Sequence, residues 1–167
     1  MSPRKSSPKV VEVPAAPAAD MAASAAAQSQ AGLGALLYVA SIGVRWRDLD
    51  AFNHVNNSNY LTYLEESRLQ WLSHVPGPWF DEQAMPVMAA SEVNYRRPIE
   101  WPAQLEVQLF CARLGNSSLT IAHRIVDATD ANRLYCDGHV VMVWMNPATG
   151  KPVPLPACIR TSATGER

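Results

Sequence analysis

Residues 48 to 68 read DLDAFNHVNNSNYLTYLEESR, and the way this stretch folds settles what can surround it. Two acids, Asp48 and Asp50, stand two apart at the end of an apolar, β-branched run. An Asn-rich turn follows. From Tyr60 onward the spacing is helical: Tyr60, Leu61, Leu64, Arg68, Trp71 and Leu72 recur near i, i+4, i+8 and i+11. Arg68 joins this stripe through its aliphatic stem. Asn57 or Ser58 is the expected N-cap, and Pro76-Gly-Pro78 forbids continuation. A helix that begins here presents unpaired N–H groups and a partial positive charge beside a carboxylate. Hydrolysis of an activated acyl group needs such a pair, one group to attack or deprotonate water and others to hold the developing oxyanion.

Upstream, Leu36 to Trp46 reads as a strand, with Tyr38, Val39, Ile42 and Val44 available to a sheet. Downstream of Pro86 the period changes to two. Val87, Ala89, Ser91, Val93 and Tyr95 alternate with Met88, Ala90, Glu92 and Asn94. Three further runs start near Leu105, Leu119 and Leu134, the last broken at Gly138. Asn116-Ser117 and the stretch from Asp127 to Asn132 are hairpin-like connections, which makes the neighbouring strands antiparallel. One strand, one long helix and four strands in sequence give an α+β domain, most economically a curved antiparallel β-sheet wrapped around one long central helix.

The chain of 167 residues is one domain by size, expected over residues 33 to 160, with a disordered Ala/Pro/Ser-rich tail at 1 to 32 and a short tail at 161 to 167. Fourteen Lys and Arg face 15 acids, a net charge of −1, which argues against a nucleic-acid binder. No apolar run reaches the roughly 18 residues of a membrane span. Three cysteines, Cys111, Cys136 and Cys158, form no CxxC pair and read as free thiols in a reducing, cytoplasmic compartment.

Asp48-Leu-Asp50, His54-Val-Asn-Asn57, Tyr60 and Glu66-Ser-Arg68 together resemble the signature of hotdog-fold acyl-CoA thioesterases of the 4-hydroxybenzoyl-CoA thioesterase type. The likeness is greatest to their long-chain acyl-CoA branch and to the repeats of plant acyl-ACP thioesterases. It continues through Tyr95-Arg-Arg-Pro98, Leu114-Gly-Asn-Ser-Ser-Leu119 and Val143-Trp-Met-Asn146, and spans roughly Leu37 to Arg160. The order and spacing of these short motifs carry it. The resemblance implies the hotdog fold, a thioester hydrolase without cofactor or metal, and a homodimer or homotetramer joined at sheet edges. For that joint the run from Val87 to Tyr95 is the candidate.

The resemblance also assigns roles. Asp50 is the catalytic carboxylate, as base or nucleophile, and the N–H at or near Asn57 is the oxyanion donor. His54 and Asn56 are possible assistants, although Phe52 stands where the plant enzymes carry Asn. Asp48 is expected to cap, or to pair with Arg45 or Arg47. Arg96, Arg97 and Arg113 are candidate contacts for the phosphates of coenzyme A. Trp71, Met85, Val87 and Met88 are candidate walls of an acyl channel. Rival readings are a dehydratase or hydratase on the same fold, a non-catalytic acyl-ligand or interaction module, and a metal site at Asp48, Asp50 and His54. An EF-hand fails, because Phe52 and Asn53 replace a ligand and the required Gly.

Overall fold

In a computed structural model of the chain, residues 32 to 165 can be described. The tail expected over residues 1 to 32 lies, except for Gly32, outside the described residues, as do residues 166 and 167. The order is β1 (Ala35–Gly43), a 3-10 turn (Trp46–Asp48), α1 (Asn57–His74), β2 (Met85–Tyr95), β3 (Gln104–Leu114), β4 (Ser118–Asp127), β5 (Leu134–Asn146), β6 (Lys151–Pro152) and α2 (Ala157–Thr164). The strands form one antiparallel sheet in the order β1-β3-β4-β5-β2, with β6 paired to the end of β5. The short β6 and the helix α2 are additions to the expected set. α2 buries Ile159 and Ala163 in the core, so the packed chain runs past residue 160 to Thr164.

Helix α1 forms where its spacing places it, and its buried residues are Tyr60, Tyr63, Leu64, Ser67, Arg68, Trp71 and Leu72. The cap differs from the expectation. Asn56 is the N-cap, its side chain accepting from Ser58 N at 3.0 Å, and Asn57 is the first helical residue. Val75 closes the other end just before Pro76. The helix packs over β1 and β3. Alternate residues of the sheet meet it, among them Leu105, Val107, Leu109, Leu119, Ile121, Ile125, Cys136, Val140 and Trp144, all buried in one core cluster. Burial pushes the Cys136 thiol up to about 12, which keeps it protonated and inert.

Strand β2 lies at the open edge of the sheet beyond β5. Its alternation is not continuous, because a bulge at Ala89 shifts the register between Met88 and Ala90. Met88 pairs with the core residue Met142 and Ser91 with Val140, so Met88 shares a face with Ser91, Val93 and Tyr95. Val87 and Ala90 fall on the opposite face. An extra residue in one strand reverses the facing of everything before it. With α1 set over the far side of the sheet, the helix-facing side of β2 is thinly covered, and Met88 is 51% exposed.

Candidate active site

Between the end of β1 and the start of α1 the chain makes a compact turn around Asp48. This carboxylate is 2% exposed. It accepts from Arg45 N at 3.0 Å, from Arg45 Nε at 3.1 Å and from the Tyr63 hydroxyl at 2.7 Å. Its backbone oxygen accepts from Asn56 N and from Asn59 Nδ2, both at 2.8 Å. Burial alone pushes the Asp48 carboxyl up, but the hydrogen bonds from Arg45 and Tyr63 outweigh it and hold the group below its ordinary value. Asp48 is thus the peg of the turn, paired with Arg45 rather than Arg47.

Asp50, two residues on, is turned the other way. Its N–H donates to His54 O at 2.7 Å, and its Oδ1 accepts from Phe52 N at 2.8 Å and His54 N at 3.2 Å. Asn53 closes this loop at φ +62°, a left-handed conformation that Asn tolerates better than most residues. The second carboxylate oxygen, Oδ2, has no partner among the described residues. Asp50 lines a cavity of about 250 Å³ with His54, Asn57, Tyr60, Tyr95 and Arg97.

The same cavity receives the start of α1. Ser58 N is occupied by the Asn56 side chain and Asn59 N by Asn56 O. The Asn57 N–H has no acceptor among the described residues, as befits the first N–H of a helix. Two tyrosines fix the opposite wall. The Tyr95 hydroxyl donates to Asn57 O and the Tyr60 hydroxyl to Arg97 O, each at 3.2 Å, and the rings meet edge to face at 5.0 Å. Burial pushes the Tyr60 phenol up to about 12, so it stays a donor at neutral pH. Neither tyrosine has a site role in the sequence reading. The signal available is position: Tyr60 stands in the helix motif, and Tyr95 directly precedes Arg96-Arg97-Pro98.

The remaining candidates divide. His54 is in the cavity, bridged by backbone to Glu100 and with Nε2 3.8 Å from its carboxylate. Asn56 caps the helix by its side chain. Arg96 lines the cavity, but its guanidinium forks onto Asp137 with two 2.9 Å bonds. Arg97 lines it with no carboxylate within 4.0 Å among the described residues. Arg113 is not brought here. It pairs with Thr120, whereas Arg96 and Arg97 bond Tyr135 O near the far end of β4, five residues or about 17 Å away.

Of the four proposed acyl-wall residues, none lines the cavity at Asp50 in this chain. Trp71 is buried in the core, about 21 Å along α1 from Asn57, and borders a separate cavity of about 620 Å³ with Tyr38 and His74. Met85, Val87 and Met88 are exposed on the edge strand, and strand alternation puts Met88 on the face opposite the other two. Among the described residues no three His, Cys, Asp or Glu side chains converge as a metal site would need, and no helix is long and apolar enough to cross a membrane.

Comparison with known proteins bears on this geometry. The model of the thioesterase-like superfamily matches residues 44–161. The acyl-CoA thioester hydrolase YbgC of Escherichia coli O157:H7 is 29% identical over 124 residues, 71% of this chain and 89% of that protein. A solved Xanthomonas campestris protein, described as a candidate acyl-CoA thioesterase, is 49% identical with a TM-score of 0.63, covering 67% of this chain and 95% of that one. A thioesterase from Thermus thermophilus, solved with coenzyme A and Zn, is 33% identical with a TM-score of 0.63, covering 75% of this chain and 95% of that one.

Proposed function

This chain belongs to the thioesterase-like superfamily, with its hotdog fold, and on that premise we propose that it is an acyl-CoA thioesterase with its centre at Asp50 and Asn57. One observation carries the reading: a carboxylate with a free oxygen and a helix-start N–H without an acceptor line the same cavity. With Asp50 as base, its Oδ2 takes a proton from water as the water oxygen bonds to the thioester carbon. The carbonyl oxygen gathers charge against Asn57 N–H. The C–S bond then breaks, and the proton on Asp50 goes to the leaving thiolate, giving a free acid and coenzyme A. With Asp50 as nucleophile, a mixed anhydride forms first and water opens it. Neither route uses a cofactor. His54, joined to Asp50 by two backbone bonds, holds the carboxylate's turn in place.

The working unit is a homodimer or homotetramer. β2 presents 11 residues at an open edge, with an exposed apolar run from Val87 to Ala90, and an uncovered edge of that kind calls for a partner strand. A second copy joined there would continue the sheet and set its own Met88 and Ser91 beside those of β2 on the helix-facing side, and so complete the wall of the acyl channel that a single chain lacks. Three free thiols suit the cytoplasm.

The test is thiol release from a graded acyl-CoA series by the full chain. Turnover of at least one acyl-CoA, abolished in Asp50→Asn, is expected. No release from any of them would leave the fold as an acyl-ligand module or an enzyme that acts on thioesters without cleaving them.

A further inference from the structure

A second cavity opens beside the one that holds Asp50. It measures about 400 Å³ and is lined chiefly by Arg97, Pro98, Glu100, Asp127, Arg133 and Tyr135. Arg97 and Pro98 line both cavities, so the two meet at that dipeptide. The backbone of Arg97 is held from two sides, its N–H donating to Tyr135 O at 3.2 Å and its oxygen accepting from the Tyr60 hydroxyl at 3.2 Å. Its side chain is exposed. Arg133 stands in the β4–β5 turn, fixed by Arg133 N to Asp130 O at 2.9 Å and by Asp127 N to Arg133 O at 3.1 Å.

The two acids of this cavity are already engaged. Asp127 accepts from Thr129 N at 2.9 Å, Thr129 Oγ1 at 2.7 Å and the Tyr135 hydroxyl at 3.1 Å. Glu100 faces His54. Neither Arg97 nor Arg133 has a carboxylate within 4.0 Å among the described residues, unlike Arg96 on Asp137. Two guanidinium groups without a carboxylate partner therefore line this cavity, Arg133 beside the Tyr135 side chain and Arg97 where the cavity adjoins that of Asp50. The planar fork of a guanidinium matches phosphate oxygens two at a time.

We propose that Arg97 and Arg133 bind the phosphates of the thioester's carrier, so that the enzyme selects coenzyme A by its nucleotide end. The inference rests on the acyl-CoA thioesterase reading. The thioester carbon lies between Asp50 and Asn57, the pantetheine arm passes Arg97, and the phosphates lie in the outer cavity against Arg133. Arg133 is not among the arginines that the sequence singles out. It lies 36 residues from Arg97, and the pairing of β2 with β5, continued by the hydrogen bonds of Arg96 N and Arg97 N to Tyr135 O, brings the two segments together.

The test measures kcat and KM for one acyl group carried on coenzyme A and on pantetheine, which has no phosphate or nucleotide. With acyl-CoA, Arg133→Glu should raise KM roughly 10- to 100-fold, the worth of a charge-assisted hydrogen bond, and leave kcat unchanged, and Arg97→Glu should raise KM as well. Arg133→Lys, which keeps the charge, should recover part of the loss. With the pantetheine thioester Arg133→Glu and Arg133→Lys should match the wild type, which also shows that they fold. Equal KM values of the wild type for the two thioesters, a KM rise on both carriers in Arg133→Glu, or no rise on either in that variant would overturn the proposal. Wild-type protein that cleaves neither thioester would instead overturn the reading beneath it.

Discussion

Asn57→Pro isolates one hydrogen atom. Proline lacks an N–H but is well accepted at the first position of a helix, where that N–H has no intrahelical partner. Asn57 is that position, and the residue before it, Asn56, has φ −57° and ψ 137°, the extended conformation a following proline requires. The Asn57 side chain makes no hydrogen bond among the described residues, and its carbonyl, which accepts from Tyr95, survives the change. Folding should therefore hold or improve, by about 0.4–1 kcal/mol through the stiffer unfolded chain. Turnover should fall roughly 10²–10³-fold, the usual loss for one oxyanion donor, or about 3–4 kcal/mol in the barrier. Asn57→Ala keeps the N–H and is the matched control, expected to stay near wild type. The assay is thiol release at saturating acyl-CoA, with thermal melting by circular dichroism on the same samples. Wild-type kcat in Asn57→Pro would refute the oxyanion assignment. Equal crippling of Asn57→Ala would move the role to the side chain.

Asp50→Asn retains an oxygen for Phe52 N and His54 N and alters only the free Oδ2, so kcat should drop at least roughly 10²-fold with little change in melting, whereas Asp48→Asn sets an amide against Arg45 and Tyr63 and should cost about 2 kcal/mol of stability with a far smaller loss of turnover. Near wild-type rates in Asp50→Asn would remove the carboxylate assignment. His123 is 1% exposed, and burial, with the charges of Arg68 and His139, pushes it down to about 4 despite Asp137. The unfolded chain, titrating near 6.5, then binds more protons between pH 4 and 6.5, so stability should fall by about 3 kcal/mol as pH drops through that window and not change on this account above it. His123→Leu should flatten the melting-temperature profile there, and an unchanged slope would refute the burial argument. Met88→Glu places a charge on the proposed joining strand at a site exposed in one chain, so light scattering should show lower mass and the assay lower activity together. A fully active wild-type species at 18.3 kDa would contradict the dimer.

What could be read in the sequence is what depends on short-range order. The stripe from Tyr60 to Leu72 marks α1, and the hairpins at Asn116-Ser117 and Asp127 to Asn132 lie where the turn residues put them. The phase of β2 was not legible, because Ala89 at the bulge and Ala90 after it look alike to an alternation test and only the pairing with Met142 and Val140 reveals the slip. The cap fell one residue early for a related reason: Asn56, Asn57 and Ser58 are all good caps, and the bond of Asn56 N to Asp48 O selects Asn56 by fixing it outside the helix. The pairing of Arg96 with Asp137 spans 41 residues and follows from strand register, which no local pattern records.

The separate fates of Asp48 and Asp50 follow from the same turn. The residue between them, Leu49, bridges to Val55, so the backbone there is extended and successive side chains point to opposite sides. Acids two apart on an extended segment would share a side. The 3-10 turn that ends at Asp48 breaks that rule by folding its carboxylate back onto Arg45 N three residues earlier. Asp50, past the turn, is left to accept from the loop ahead of it. One acid is thereby buried to anchor the turn, and the other is held by one oxygen with the second free. Changing the anchor should loosen the position of Asp50 and Asn57 together, because Asp48 O is the acceptor that fixes both Asn56 N and Asn59 Nδ2 at the helix start.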